Sequence, residues 1–230
     1  MSARPILVGG LGLLMTVLAV GGGEARSAGN SVPTTVLSRS AEAPAVRDFA
    51  PAECLADMSE AALNALVLRA GVNGAGTNDL VLGSDGDDTM TAGNADDCVV
   101  GGDGQDSLSG GGGADIILGG DGADTDLAGG AGNDFIYGGA GADNIGGDGG
   151  NDTIYGQGGA DTIAGDGNVD TIYGGNGNDI LDGGGGAGDQ VFGEDGDDTV
   201  SGGAGGADVC DGGPDNDTLG AGCENVVSIP

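Results

Sequence analysis

From residue 74 onward an aspartate returns every nine residues, and no other feature restricts the fold of this chain as tightly. Taken as the sixth position of each unit, it falls at Asp79, Asp88, Asp97, Asp106, Asp115, Asp124, Asp134, Asp143, Asp152, Asp161, Asp170, Asp179, Asp189, Asp198, Asp208 and Asp217. Twelve of the fifteen intervals are nine residues and three are ten. Two positions after each aspartate stands Val81, Met90, Val99, Leu108, Ile117, Leu127 (displaced by the first longer interval), Ile136, Ile145, Ile154, Ile163, Ile172, Leu181, Val191, Val200, Cys210 or Leu219. The chain holds 56 glycines, yet a period of nine excludes a collagen helix and the phased apolar residue excludes a disordered glycine-rich tract.

Each unit divides into a glycine-rich six and an x-aliphatic-x three. Glycine at positions one, two and four permits backbone torsions closed to other residues and so a tight turn with its carbonyls directed to one side. In the last three residues the central side chain points to one face of a short strand and its neighbours to the other. Two units then make one coil: strand, turn, strand, turn in eighteen residues. Coils stack at about 4.8 Å, and none can bury its aliphatic pair alone. The fold class is all-β, a parallel β-solenoid of nonapeptide repeats with two repeats per coil, covering residues 74–220.

Charge adds a requirement. All five basic residues (Arg4, Arg26, Arg39, Arg47, Arg69) precede residue 70, whereas 31 of the 37 acidic residues follow it. Such a surface repels nucleic acid and anionic lipid. It also repels itself unless counter-cations bind, and the natural candidates are hard divalent ions that prefer oxygen ligands.

The units GGDGQDSLS, GGGGADIIL, GGAGNDFIY, GGAGADNIG and GGNGNDILD resemble the nonapeptides of the repeats-in-toxin (RTX) family, the haemolysin-type calcium-binding repeats. The resemblance implies a right-handed parallel β-roll. It also implies that the sixteen aspartates, with turn carbonyls of their own unit and of the unit two places on, hold Ca2+ along each edge. Sixteen units offer about fourteen such pairs, whose charge would nearly offset the repeat's own. Ala95, Asn168 and Asp215 in place of glycine, and the extra residues near Asp126, Gly188 and Gly206, are expected to cost some sites. Family members that are secreted by their C-terminus, or that are proteases or lipases, carry features that this pattern does not match, so neither toxin nor enzyme activity is carried over.

Alternate units feed opposite sheets, so outward residues sort by sheet. One face carries Leu80/Leu82, Cys98/Val100, Ile116/Leu118, Phe135/Tyr137, Thr153/Tyr155, Thr171/Tyr173, Gln190/Phe192 and Val209/Asp211; the other is small and polar. An apolar exterior is expected to be covered or used. Residues 51–73, with Leu55, Met58, Ala62 and Leu66 at three-and-four spacing, read as a short helical or irregular cap. An 18-residue helix of about 27 Å would lie across five or six strands, pinned by Cys54–Cys98. Tyr137, Tyr155, Tyr173 and Phe192 then form a possible docking face, the alternative being plain cross-strand stacking. Cys210 and Cys223 form a second bridge at the other end.

The N-terminus completes the picture. Arg4 followed by the apolar run 6–20 reads as an export signal, residues 1–27, and 28–50 as a flexible linker; 221–230 reads as a C-terminal cap. An even cysteine count fits an oxidising compartment. The reading is a secreted, extracellular bacterial calcium-binding protein that folds on binding many calcium ions. It is not an enzyme, binds no nucleic acid, and has no membrane span after signal cleavage. The alternatives are an adhesin docking a cell-surface or matrix polysaccharide or protein and, with less support, a small secreted hydrolase; interrupted outward threonines on the second sheet give an ice-binding reading weaker support still.

Overall fold

The structure, a computed structural model, describes residues 78–227 and Gly76, together with the backbone of residues 6–7 and 14–15. Ile6–Leu7 and Leu14–Met15 pair antiparallel. The remainder of the expected leader, the linker and the 51–73 cap lie outside the described residues.

Everything from Leu80 to Val226 winds into two parallel sheets. Nine strands form one: Leu80–Leu82, Cys98–Asp103, Ile116–Asp121, Phe135–Ala140, Thr153–Gly158, Thr171–Asn176, Gln190–Asp195, Val209–Asp211 and Asn225–Val226. Eight strands, from Thr89–Asn94 to Thr218–Leu219, form the other. Successive strands of the chain alternate between sheets, so each strand pairs with the one two places on. Ile154 lies beside Ile136 and Ile172, and Tyr155 beside Tyr137 and Tyr173. The chain is a parallel β-roll of about eight turns, with no helix among the described residues.

The core is one residue thick. Val81, Met90, Val99, Leu108, Ile117, Leu127, Ile136, Ile145, Ile154, Ile163, Ile172, Leu181, Val191, Val200 and Cys210 stand in two facing columns, each at most 2% exposed. A buried aliphatic of this size contributes roughly 1.5–3 kcal/mol, and each one touches only its own coil and the coils above and below. The longer intervals do not break the pairing: Leu108 meets Leu127 and Ile172 meets Val191 in register. The chain absorbs the extra residue in the turn because the sheet period of two forbids it inside a strand.

Glycine is required where its conformation is required. Gly150 has φ of 146° and Gly132 144°, and a Cβ on Gly150 would fall on the carbonyl of Gly132 in the coil below. Some positions bear this strain without glycine. Ala95 (102°) and Asn168 (84°) keep the left-handed turn at position four, and Asp148, Gln157, Asp166 and Glu194 adopt it at position two.

Cys210 is bonded to Cys223, tying the last core rung to the final turn. Beyond it Asn225–Val226 pairs with Val209–Asp211, so the C-terminal segment expected as a cap adds a rung to the sheet. No helix of the described residues is long and apolar enough to cross a membrane.

Candidate metal sites along the two edges

Between strands the chain makes its turns, and there the aspartates stack. The Oδ1 of each aspartate accepts the backbone N–H of the aspartate two units earlier. Asp97 accepts from Asp79 at 2.6 Å, Asp152 from Asp134 at 2.8 Å and Asp170 from Asp152 at 2.8 Å. The series runs unbroken from Asp97 to Asp217 on both edges, including the units with Ala95, Asn168 and Asp215. A second, outer series uses position five: Asp87 accepts from Gln105, Asn133 from Asn151 and Asn151 from Val169. Sequence reasoning missed this outer ladder, although Asp and Asn recur at that position.

Only one oxygen of each inner carboxylate is used in this way. The Oδ2 atoms of Asp97, Asp106, Asp115, Asp124, Asp134, Asp143, Asp152, Asp161, Asp170, Asp179, Asp189, Asp198, Asp208 and Asp217 are buried without a hydrogen-bond partner. Buried polar atoms are rarely left so, and fourteen in periodic array point to a ligand. Asp88 differs: its Oδ2 accepts from the amide and hydroxyl of Ser84 at 2.6 and 2.9 Å. Asp79 is buried at the N-terminal end of its column.

What the Oδ2 atoms face is set by the first glycine of each unit. The place where a Cβ on Gly147 would stand lies 2.6 Å from Asp152 Oδ2 and 2.7 Å from the carbonyl of Gly165, one coil on. The same pair of oxygens recurs around Gly129 (Asp134 Oδ2 2.6 Å, Gly147 O 2.7 Å), Gly138 (Asp143 Oδ2 2.6 Å, Gly156 O 2.8 Å) and Gly174 (Asp179 Oδ2 2.5 Å, Gly193 O 2.7 Å). The missing side chain thus lets a carboxylate and a carbonyl close in on the turn, with a core methyl such as Ile145 Cδ1 3.1 Å from the Gly138 position. One unit breaks the pattern: its first position is Ala92, which is fully buried, so a methyl occupies the equivalent place. The sequence reading noted Ala95 in this unit and passed over Ala92.

Electrostatics agrees with the geometry. Burial pushes Asp97, Asp115, Asp152 and Asp170 up to about 7, and Asp106, Asp143, Asp179 and Asp198 up to about 6, from an ordinary 3.8. The donated backbone N–H lowers each in part, and the stacked carboxylates raise it again. Asp124, Asp134, Asp161 and Asp189 are raised by the same burial. A column of carboxylates that resists ionisation is one that a hard cation would relieve. No three acidic, histidine or cysteine side chains converge among the described residues, so a cation here would draw on both side-chain and backbone oxygens, a donor set that suits calcium.

The aromatic residues occupy the outer face of the nine-stranded sheet. Tyr137, Tyr155, Tyr173 and Phe192 stack with centroids 5.0 Å apart and planes within 13° of parallel. Their ring faces meet one another, so it is the ring edges that lie along the outer face. Beside Tyr155 and Tyr173 lies a shallow depression of about 430 Å³ bounded by Gln157, Asn176, Glu194 and Asp195.

The chain is similar to the family model of the RTX calcium-binding nonapeptide repeat, which matches residues 73–108, 99–126, 126–154, 155–189 and 184–219. Together these spans cover nearly two thirds of the chain. No curated protein matches it.

Proposed function

We propose, from the premise that the chain belongs to the RTX calcium-binding nonapeptide-repeat family, that its aspartates hold a column of calcium ions along each edge of the roll. The observation that carries this reading is the set of fourteen buried, unpartnered Oδ2 atoms. The residues that would hold the ions are Asp79, Asp88, Asp97, Asp106, Asp115, Asp124, Asp134, Asp143, Asp152, Asp161, Asp170, Asp179, Asp189, Asp198, Asp208 and Asp217, with turn carbonyls such as that of Gly165. Calcium supplies positive charge between carboxylates that otherwise repel one another. The protein's part is to fix the spacing: aliphatic columns set the coil rise, and glycine lets the carboxylate and carbonyl oxygens approach one another.

On this reading the molecule is an exported, non-catalytic module whose fold is coupled to metal, with affinities of extracellular sites, about 10⁻⁴–10⁻³ M. The upper limit is about fourteen ions, one per unpartnered oxygen. Circular dichroism in chelator and across a millimolar calcium titration tests it, with equilibrium dialysis for the count. Coil turning to strand with many ions bound is expected; an unchanged spectrum, or one or two ions per chain, would refute it.

A second reading keeps calcium as support and uses the aromatic ladder to dock a cell-surface or matrix polysaccharide or protein. The depression beside Tyr155 and Tyr173 favours it. A pull-down of envelope material by the parent but not by Tyr155→Ser/Tyr173→Ser, with the calcium count unchanged, would separate it from the first.

A further inference from the structure

The outward residues of the nine-stranded sheet change character along the roll. Leu80, Cys98, Ile116 and Phe135 form one column in register, all on the side away from the core. Phe135 is 37% exposed, as befits an outer face, yet Leu80 and Cys98 are 0% and Ile116 4% exposed. With Leu82, Val100, Leu118 and Tyr137, the residues Leu80, Cys98 and Ile116 form an apolar cluster separate from the core. A side chain on the outside of an outer sheet loses contact with water only when something lies across it. The described residues from 78 to 227 run in the two sheets and their turns, so the cover comes from elsewhere in the chain.

Cysteine accounting identifies which part. Cys98 is disulfide-bonded, while Cys210 and Cys223 are bonded to each other. Of four cysteines in the chain, that leaves Cys54, in a segment whose Leu55, Met58, Ala62 and Leu66 offer an apolar stripe.

We infer that residues 51–73 lie across the outer face of the first three strands of this sheet, Leu80–Leu82, Cys98–Asp103 and Ile116–Asp121, and are held there by a Cys54–Cys98 disulfide. The burial gradient sets the limit of the cover. It falls between Ile116, 4% exposed, and Phe135, 37% exposed, so the proposed cover is confined to the first three strands and leaves Tyr155, Tyr173 and Phe192 open. Two thiols lose two protons and two electrons in forming the bond, which pass to a disulfide donor by thiol–disulfide exchange. The cover removes an apolar strip that an acidic, cation-dependent roll could not otherwise keep out of water, and it does so without metal. This inference is independent of the calcium reading.

Two measurements test it in the full chain. Peptide mapping without reduction is expected to give a Cys54–Cys98 cross-linked peptide; a free Cys54 thiol, or Cys54 joined to another residue, would overturn the pairing. Hydroxyl-radical footprinting of the calcium-loaded protein is expected to spare Leu80 and Ile116 while modifying Phe135. In Leu55→Asp/Leu66→Asp, modification at Leu80 and Ile116 should rise at least tenfold with Phe135 and Ile154 unchanged. Equal modification of Leu80, Ile116 and Phe135 in the parent would refute the cover, whatever the calcium count.

Discussion

Replacing Asp152 by Asn is expected to change stability in opposite directions with and without calcium. Asp152 belongs to two pairs, with Asp134 and with Asp170, through hydrogen bonds of 2.8 Å each. Asparagine keeps the Oδ1 that accepts from Asp134, but replaces the unpartnered Oδ2 beside Gly147 by an uncharged amide. At 10 mM calcium, a site with dissociation constant of 10⁻⁴–10⁻³ M stabilises the fold by about 1.4–2.7 kcal/mol. Loss of two sites therefore removes about 3–5 kcal/mol, and Tm falls by about 6–20 °C for a domain of this size. In chelator the sign reverses. Asp152, pushed up to about 7 by burial, is a liability when ionised, so at pH 7.5 in EDTA the variant should hold at least as much strand as the parent. The assay is thermal unfolding by circular dichroism in calcium and strand content by circular dichroism in EDTA, with ion counting by equilibrium dialysis. Asp126→Asn, at an exposed position outside the ladder, is the control and should move neither. Less strand than the parent in EDTA, or an unchanged ion count, would refute the assignment of this carboxylate.

Other outcomes follow from the same geometry. The inner aspartates are raised, so the folded, metal-free roll binds protons more tightly than the unfolded chain. Their stabilisation is fully present below about pH 4 and is lost as pH rises through 6–7. Strand signal in EDTA should therefore fall between pH 5 and 8, and a rise would contradict the burial of these groups. Ile163→Ala, within a fully buried column, should cost about 2–5 kcal/mol in urea unfolding at saturating calcium. Thr162→Ala on the exposed face should stay within about 0.5 kcal/mol; equal effects would mean that the column is not the core.

The parts of this fold that repeat were legible, because a solenoid converts sequence period directly into strand register. The pairing of Tyr155 with Tyr137 and Tyr173, the facing aliphatic columns and the aspartate stacks all follow from counting eighteens. What was hidden is what counting does not reach. That each aspartate gives one oxygen to a backbone amide and leaves the other alone depends on side-chain torsion. The left-handed Asp148, Gln157, Asp166 and Glu194 look like simple departures from glycine, yet the stacked neighbours hold the turn regardless. Glu224 accepts the amide of Asp208 and extends the ladder one rung, although its side chain is longer and its unit lacks the opening glycine.

The alternation of nine-residue units between sheets has a consequence for how such a chain can change length. Gain or loss of eighteen residues restores every column to its own side, whereas nine would transfer all later tyrosines to the polar sheet and bring threonines to theirs. Growth of this molecule by tandem duplication is therefore quantised in pairs, and an odd copy would scramble its exterior while leaving its interior intact.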